Sequence, residues 1–151
     1  MIYLKMFLYT IAIAFAIAHL EIQIEGKHGW AAKLPTWRLK NWLTSFFGQS
    51  HITGYHTWLS ISIALISHTG FVLGLPWTVQ TEFMLIGFFL IGAVIEDYLW
   101  FVLNPHYGWD KFSAFHISWH KWLLWNKVPL MYLTCISIAF SLIGLSFLLK
   151  I

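Results

Sequence analysis

Two adjacent acids, Glu96 and Asp97, interrupt an otherwise apolar run from Phe83 to Leu103. A run of that length can cross a bilayer, and a charged side chain near its centre costs roughly 2.5–3.5 kcal/mol on insertion scales. Carboxylates placed there call for partners. Six of the eight histidines (His28, His51, His56, His106, His116 and His120) map to the same end of the molecule as the acid pair. Together they describe a polar or metal-binding pocket beneath a membrane surface.

Carboxylates and imidazoles in combination suit zinc, iron or manganese. Glu21 and Glu25 are four apart, and His28 follows Glu25 by three. That last spacing is the one used by di-iron and di-manganese sites in helix bundles. His116 and His120, four apart, would share a face if their segment were helical. The expected ligands are Glu96, His116 and His120 first, then Glu25, His56 and Asp97, with Glu21 and His28 completing the set. This is enough for one divalent metal ion or two. Successive residues of a helix point about 100° apart, so one of Glu96 and Asp97 could ligate while the other orients a histidine. A metal at this depth could activate water or dioxygen against a lipid or other hydrophobic substrate, as an oxidoreductase or hydrolase does. Arg38 and Lys33 are candidates for a lipid headgroup phosphate, arginine offering the better fork.

Plainer readings compete with these. Glu96 could pair with Arg38 or Lys33 as a structural ion pair. His116 and His120 could be interfacial anchors. Gly26 and Gly29 interrupt the helix that Glu25-x-x-His28 requires. His19, His51, His68 and His106 read as non-ligands. Haem b would need histidine pairs on facing spans. His56 and His68 have no such counterpart beyond His19, which argues against haem. Cys135 lies in an apolar run with no histidine or basic neighbour, against both a disulfide and a catalytic thiol. No nucleotide-binding loop is present.

The elements that must position these residues are membrane spans. The 151-residue chain is 59% apolar, 19% aromatic and 10% charged, whereas a soluble domain is about 25% charged. Its mean hydropathy is +0.70 and its pI about 9.1. The expected fold is an all-α membrane protein, a single domain of four transmembrane helices with two short interfacial helices on one side. The spans run about Ile2–Leu20, Tyr55–Leu75, Val79–Leu103 and Val128–Leu149. Lys5, the apolar run after it and Ala16-Ile17-Ala18 imitate a signal peptide, but the segment reads as an uncleaved first span.

Leu75-Pro76-Trp77-Thr78 is a tight turn, so the two long connections fall together on one side, here side B. Side B holds seven of the nine basic residues and nine of the ten tryptophans. The positive-inside rule places it in the cytoplasm with both termini outside. Its tryptophans predict interfacial helices over Leu39–Phe47 and Lys111–Trp125. His56, Ser60, Ala64, Ser67 and His68 form a polar stripe on the second span. Ser137, Ser141 and Gly144 form a small-residue face on the fourth.

Three functional classes follow. The first is a metal-dependent membrane protein acting on a lipid or hydrophobic small molecule. The second is a structural or accessory subunit whose partners are other chains of a membrane complex. The third is an ion or proton pathway, against which the far side offers only Glu82, His68 and Gln80. Nothing points to nucleic acid.

Overall fold

The computed structural model describes residues 2–123 and 125–149. The chain is mostly helical, 64%, and its order is simple. Helix α1 spans Ile2–Glu25, α2 Trp42–Phe46, α3 Gly54–Ser67, α4 Thr69–Val72, α5 Val79–Leu103 and α6 Leu130–Leu148. Two antiparallel pairs of two-residue strands bracket the connections: β1 (Arg38–Leu39) with β2 (Ile52–Thr53), and β3 (Trp122–Leu123) with β4 (Val128–Pro129).

Helices α1, α5 and α6 are long and apolar enough to cross a membrane. Helix α5 is central, with α1 packed on one side and α6 on the other. Thr78 and Thr81 form a capping box at its start, and the helix stops at Asn104, just before Pro105. Helices in lipid associate by close approach of small residues. Gly87 is one such contact: a Cβ there would come 2.6 Å from Ile143 and 3.1 Å from the Ala139 carbonyl. On α6 the packed face is Tyr132, Cys135, Ala139 and Ser146, spaced at helical intervals. The expected Ser137–Ser141–Gly144 face is instead exposed.

Three expectations are corrected. The first helix does not end near Leu20. It continues to Glu25 and is stopped by Gly26 at φ +58°, so Glu21 and Glu25 are both helical. The second span is shorter than expected: α3 has 14 residues, a rise of about 21 Å against a hydrocarbon core of about 30 Å. It breaks at His68, whose Nδ1 approaches the Ala64 carbonyl at 2.6 Å, and α4 follows as a separate turn. The third correction concerns Lys111–Trp125, of which Leu124 lies outside the described residues. The segment is not helical beyond a 3-10 turn at Trp109–Lys111. Its backbone bonds go elsewhere. Ser50 N–H donates to the Trp119 carbonyl at 2.9 Å, Lys121 N–H to Gly48 at 2.6 Å and Leu130 N–H to Lys121 at 2.8 Å. His120 itself bridges Gln49. A segment whose donors and acceptors pair with two other strands cannot also close helical turns. Of the other interfacial helix only α2 forms, with Asn41 as its N-cap.

Side B is closed by an aromatic cluster. Trp100, Phe101 and Ile117 are buried, and Tyr107, Phe112, Trp119 and Trp122 pack around them. The tryptophans are therefore divided. Trp100 is core, while Trp42, Trp109 and Trp125 stay exposed.

Candidate functional site

The acid pair divides between two neighbours. Glu96 turns toward α1, lining the same cavity as Glu21, with its Oε1 buried and without a partner. Asp97 turns toward α6, where its Oδ2 accepts a 2.8 Å hydrogen bond from the Tyr132 hydroxyl. The 100° step between consecutive helical residues makes this division possible.

On the α1 side stand Glu21, Glu25 and His56. Glu21 and Glu25 are 4% and 8% exposed. His56 Nε2 is 3.9 Å from Glu21 Oε1 and 3.5 Å from Glu25 Oε1. Its other nitrogen, Nδ1, is 2.6 Å from the Thr53 hydroxyl. Thr53 is also the N-cap of α3, so one buried residue starts the helix and fixes the ring. Trp30 stacks on that ring at 4.2 Å.

Glu25 is held by the chain reversal that follows α1. Gly29, Trp30 and Ala31 all have positive φ, at 32°, 50° and 53°. That sequence of left-handed residues turns the Ala31 N–H onto Glu25 Oε1 at 2.5 Å. Arg38 clamps the same turn, donating to the carbonyls of Ala31 at 2.5 Å and Thr36 at 3.1 Å. Asn104, buried at the end of α5, donates to the Gly26 carbonyl at 2.8 Å and ties the reversal to the bundle.

On the α6 side, His120 Nε2 lies 3.1 Å from Asp97 Oδ2, with the imidazole fully buried. The angle makes no hydrogen bond, and both ring nitrogens lack a protein partner. Phe101, Trp119, Trp122 and Tyr132 surround the ring. Trp30 connects the two halves, its ring 6.3 Å from that of His120.

Buried polar groups are almost always satisfied, so the exceptions are informative. Gln49 Oε1, His51 Nε2 and Trp100 Nε1 lack a partner elsewhere, and here Glu21 Oε1, Glu96 Oε1, the Tyr55 hydroxyl and both His120 nitrogens have none. These last belong to this one layer of the bundle.

The layer floors a cavity of about 490 Å³ between α1, α3, α4 and α5. Glu21, His56 and Glu96 line one end and the remaining walls are predominantly apolar. The polar stripe expected on the second span faces this space, through His56, Ser60 and Ser67.

Six of the eight expected ligands therefore gather at one level: Glu21, Glu25, His56, Glu96, Asp97 and His120. The other two do not join them. His28 lies past the end of α1 and is exposed. His116 is exposed too and pairs with Ser113 at 3.1 Å. Lys33 is exposed, and the Arg38 guanidinium is engaged by backbone carbonyls. Every ion pair among the described residues joins a histidine to a carboxylate. None joins Glu96 to a basic residue. Among the described residues no group of three or more His, Cys, Asp or Glu side chains is arranged to hold a metal ion.

Sequence reasoning missed Tyr55, Tyr132, Thr53 and Trp30. Tyr132 was within reach of it. It lies one turn inside the fourth span, at the depth of Asp97. Trp30 and Thr53 carried no signal, because their roles depend on the loop conformation. The chain matches no known family model, no curated protein and no solved structure.

Proposed function

We propose that this protein is a membrane protein whose carboxylate–histidine layer binds a divalent metal ion and serves a hydrophobic substrate in the adjoining cavity. The observation that carries this reading is that Glu21 and Glu96 line one end of the same cavity beside His56, each with one buried oxygen lacking a hydrogen-bond partner. A cation between the two carboxyls would answer both orphan oxygens. His56 is suited to join them because Thr53 already occupies its Nδ1 and leaves Nε2 facing Glu21 and Glu25. Asp97, His120 and Glu25 stand next in line. The mixed oxygen and nitrogen donors suit iron, zinc or manganese. Such an ion supplies Lewis-acid or water-activating chemistry. The buried aromatic wall around His120 keeps bulk water out, which strengthens each electrostatic contact inside.

In this reading α3 and α4 together form a fourth crossing beside α1, α5 and α6. The basic connections face the cytoplasm by the positive-inside rule.

Elemental analysis of detergent-purified protein that has not met chelator tests the reading. One or two equivalents of iron, zinc or manganese are expected, and they should fall sharply in a Glu96→Ala protein that keeps its helical content. Metal near zero in both proteins would overturn it. Co-purification of metal-free protein with other membrane chains would instead favour an accessory subunit.

A further inference from the structure

The cavity beside the carboxylate layer has a direction. On α5 its lining runs from Thr81 to Glu96 and on α1 from Ile2 to Glu21. The fifteen residues from Thr81 to Glu96 rise about 22 Å, so the space is long as well as large. Its volume of about 490 Å³ falls among ligand-sized pockets. Its walls are mainly Ile, Leu, Met and Phe side chains, broken by scattered hydroxyls, and its acids and histidine sit together at one end. Among the described residues no lysine or arginine lines it.

That asymmetry selects an occupant. An apolar tail would lie along α1, α3 and α5, with its polar end at Glu21, His56 and Glu96. Glu21 is 4% exposed and its Oε1 has no hydrogen-bond partner; Glu96 Oε1 has none either. Both are acceptors awaiting a donor. A carboxylate or phosphate head would instead find no lysine or arginine among the described lining residues to pair with.

We propose that the cavity binds a single-chain amphiphile whose head is a hydrogen-bond donor, an alcohol or an amine, seated on Glu21 and Glu96. This rests on the carboxylate–histidine layer being a ligand site, and the head takes the two oxygens a metal would take, so it describes the layer without its metal.

Native mass spectrometry of the detergent-solubilised protein, with myristyl alcohol, myristylamine and myristate added separately, tests it. The alcohol and the amine should form one-to-one adducts at least about tenfold more abundant than those of myristate. Ser60→Phe projects a ring into the cavity one turn from His56, from an exposed position on α3. It should abolish all three adducts while circular dichroism stays unchanged. Glu96→Gln should raise the myristate adduct relative to the alcohol. Equal adducts for the three probes in the wild type, a preference for myristate, or adducts indifferent to Ser60→Phe would each overturn the proposal. The wild-type and Ser60→Phe results decide even if Glu96→Gln fails to fold. Repeating the series in chelated and zinc-loaded protein separates the two readings. Head selection in protein that takes up no zinc removes only the metal, whereas zinc uptake without head selection removes only the amphiphile.

Discussion

Asp97 Oδ2 accepts the Tyr132 hydroxyl at 2.8 Å and also lies 3.1 Å from His120 Nε2. One carboxylate oxygen thus joins α5, α6 and the extended segment that replaces the expected interfacial helix. Tyr132→Phe keeps the ring packing and deletes only the donor. It should lower stability by about 1–3 kcal/mol, the cost of leaving a buried acceptor without its donor. Thermal unfolding in detergent measures the loss. The double variant with Asp97→Asn should lose less than the sum of the single losses, since the two share an interaction.

Thr53 has two tasks through one hydroxyl, capping α3 and holding His56 Nδ1. Thr53→Val should cost about 1 kcal/mol as a lost cap. It should also weaken metal binding by about 10–100-fold, as loss of an orienting partner does. Thr53→Ser should restore both. A metal affinity identical in the valine and serine variants would show that His56 is not oriented through Thr53.

Gly29 and Gly144 make a matched pair of substitutions. Gly29 has φ +32°, and a Cβ there would fall 2.6 Å from Trp119 and 2.9 Å from Trp100. Gly29→Ala should destabilise by roughly 1–3 kcal/mol, through overpacking and a left-handed backbone. Gly144, on α6, has nothing within 4 Å of such a Cβ. Gly144→Ala should be neutral, or stabilising by up to about 1 kcal/mol on helix propensity. Unfolding midpoints of the two variants check both.

His51 supplies a pH test outside the spans. Burial, and then the nearby Arg38 charge, hold its ring below the ordinary value of 6.5. The folded state therefore favours neutral His51, and the unfolded chain takes up its proton first. Its contribution to stability is complete above 6.5 and declines as the pH falls below that value. A carbon-13 NMR titration should place the His51 midpoint below 6.5. Histidine-to-glutamine replacement there should make unfolding less sensitive to pH as it falls below 6.5. An ordinary or raised midpoint would contradict the assignment.

Hydropathy alone located α1, α5 and α6, because about 20 uninterrupted apolar residues have few alternatives to a long helix. Glu96 and Asp97 were conspicuous for the same reason, and Pro105 correctly marked where α5 ends. The gathering of Glu21, Glu25, His56, Glu96 and Asp97 at one level also followed from span geometry, since depth along a helix is simply residue count times rise. What the chain could not disclose was how non-helical backbone is satisfied. His116 and His120 looked like a helical pair, yet the pairing of residues 119–121 with residues 48–50 and 130 buries one and exposes the other. Glu25-x-x-His28 failed because Gly26 ends the helix before the histidine. Tyr132, Thr53 and Trp30 entered the site through contacts between segments distant in sequence. Periodicity records the neighbours a residue has within its own helix; the partners it meets across the bundle are set by hydrogen-bond pairing and packing that exist only once the chain has closed on itself.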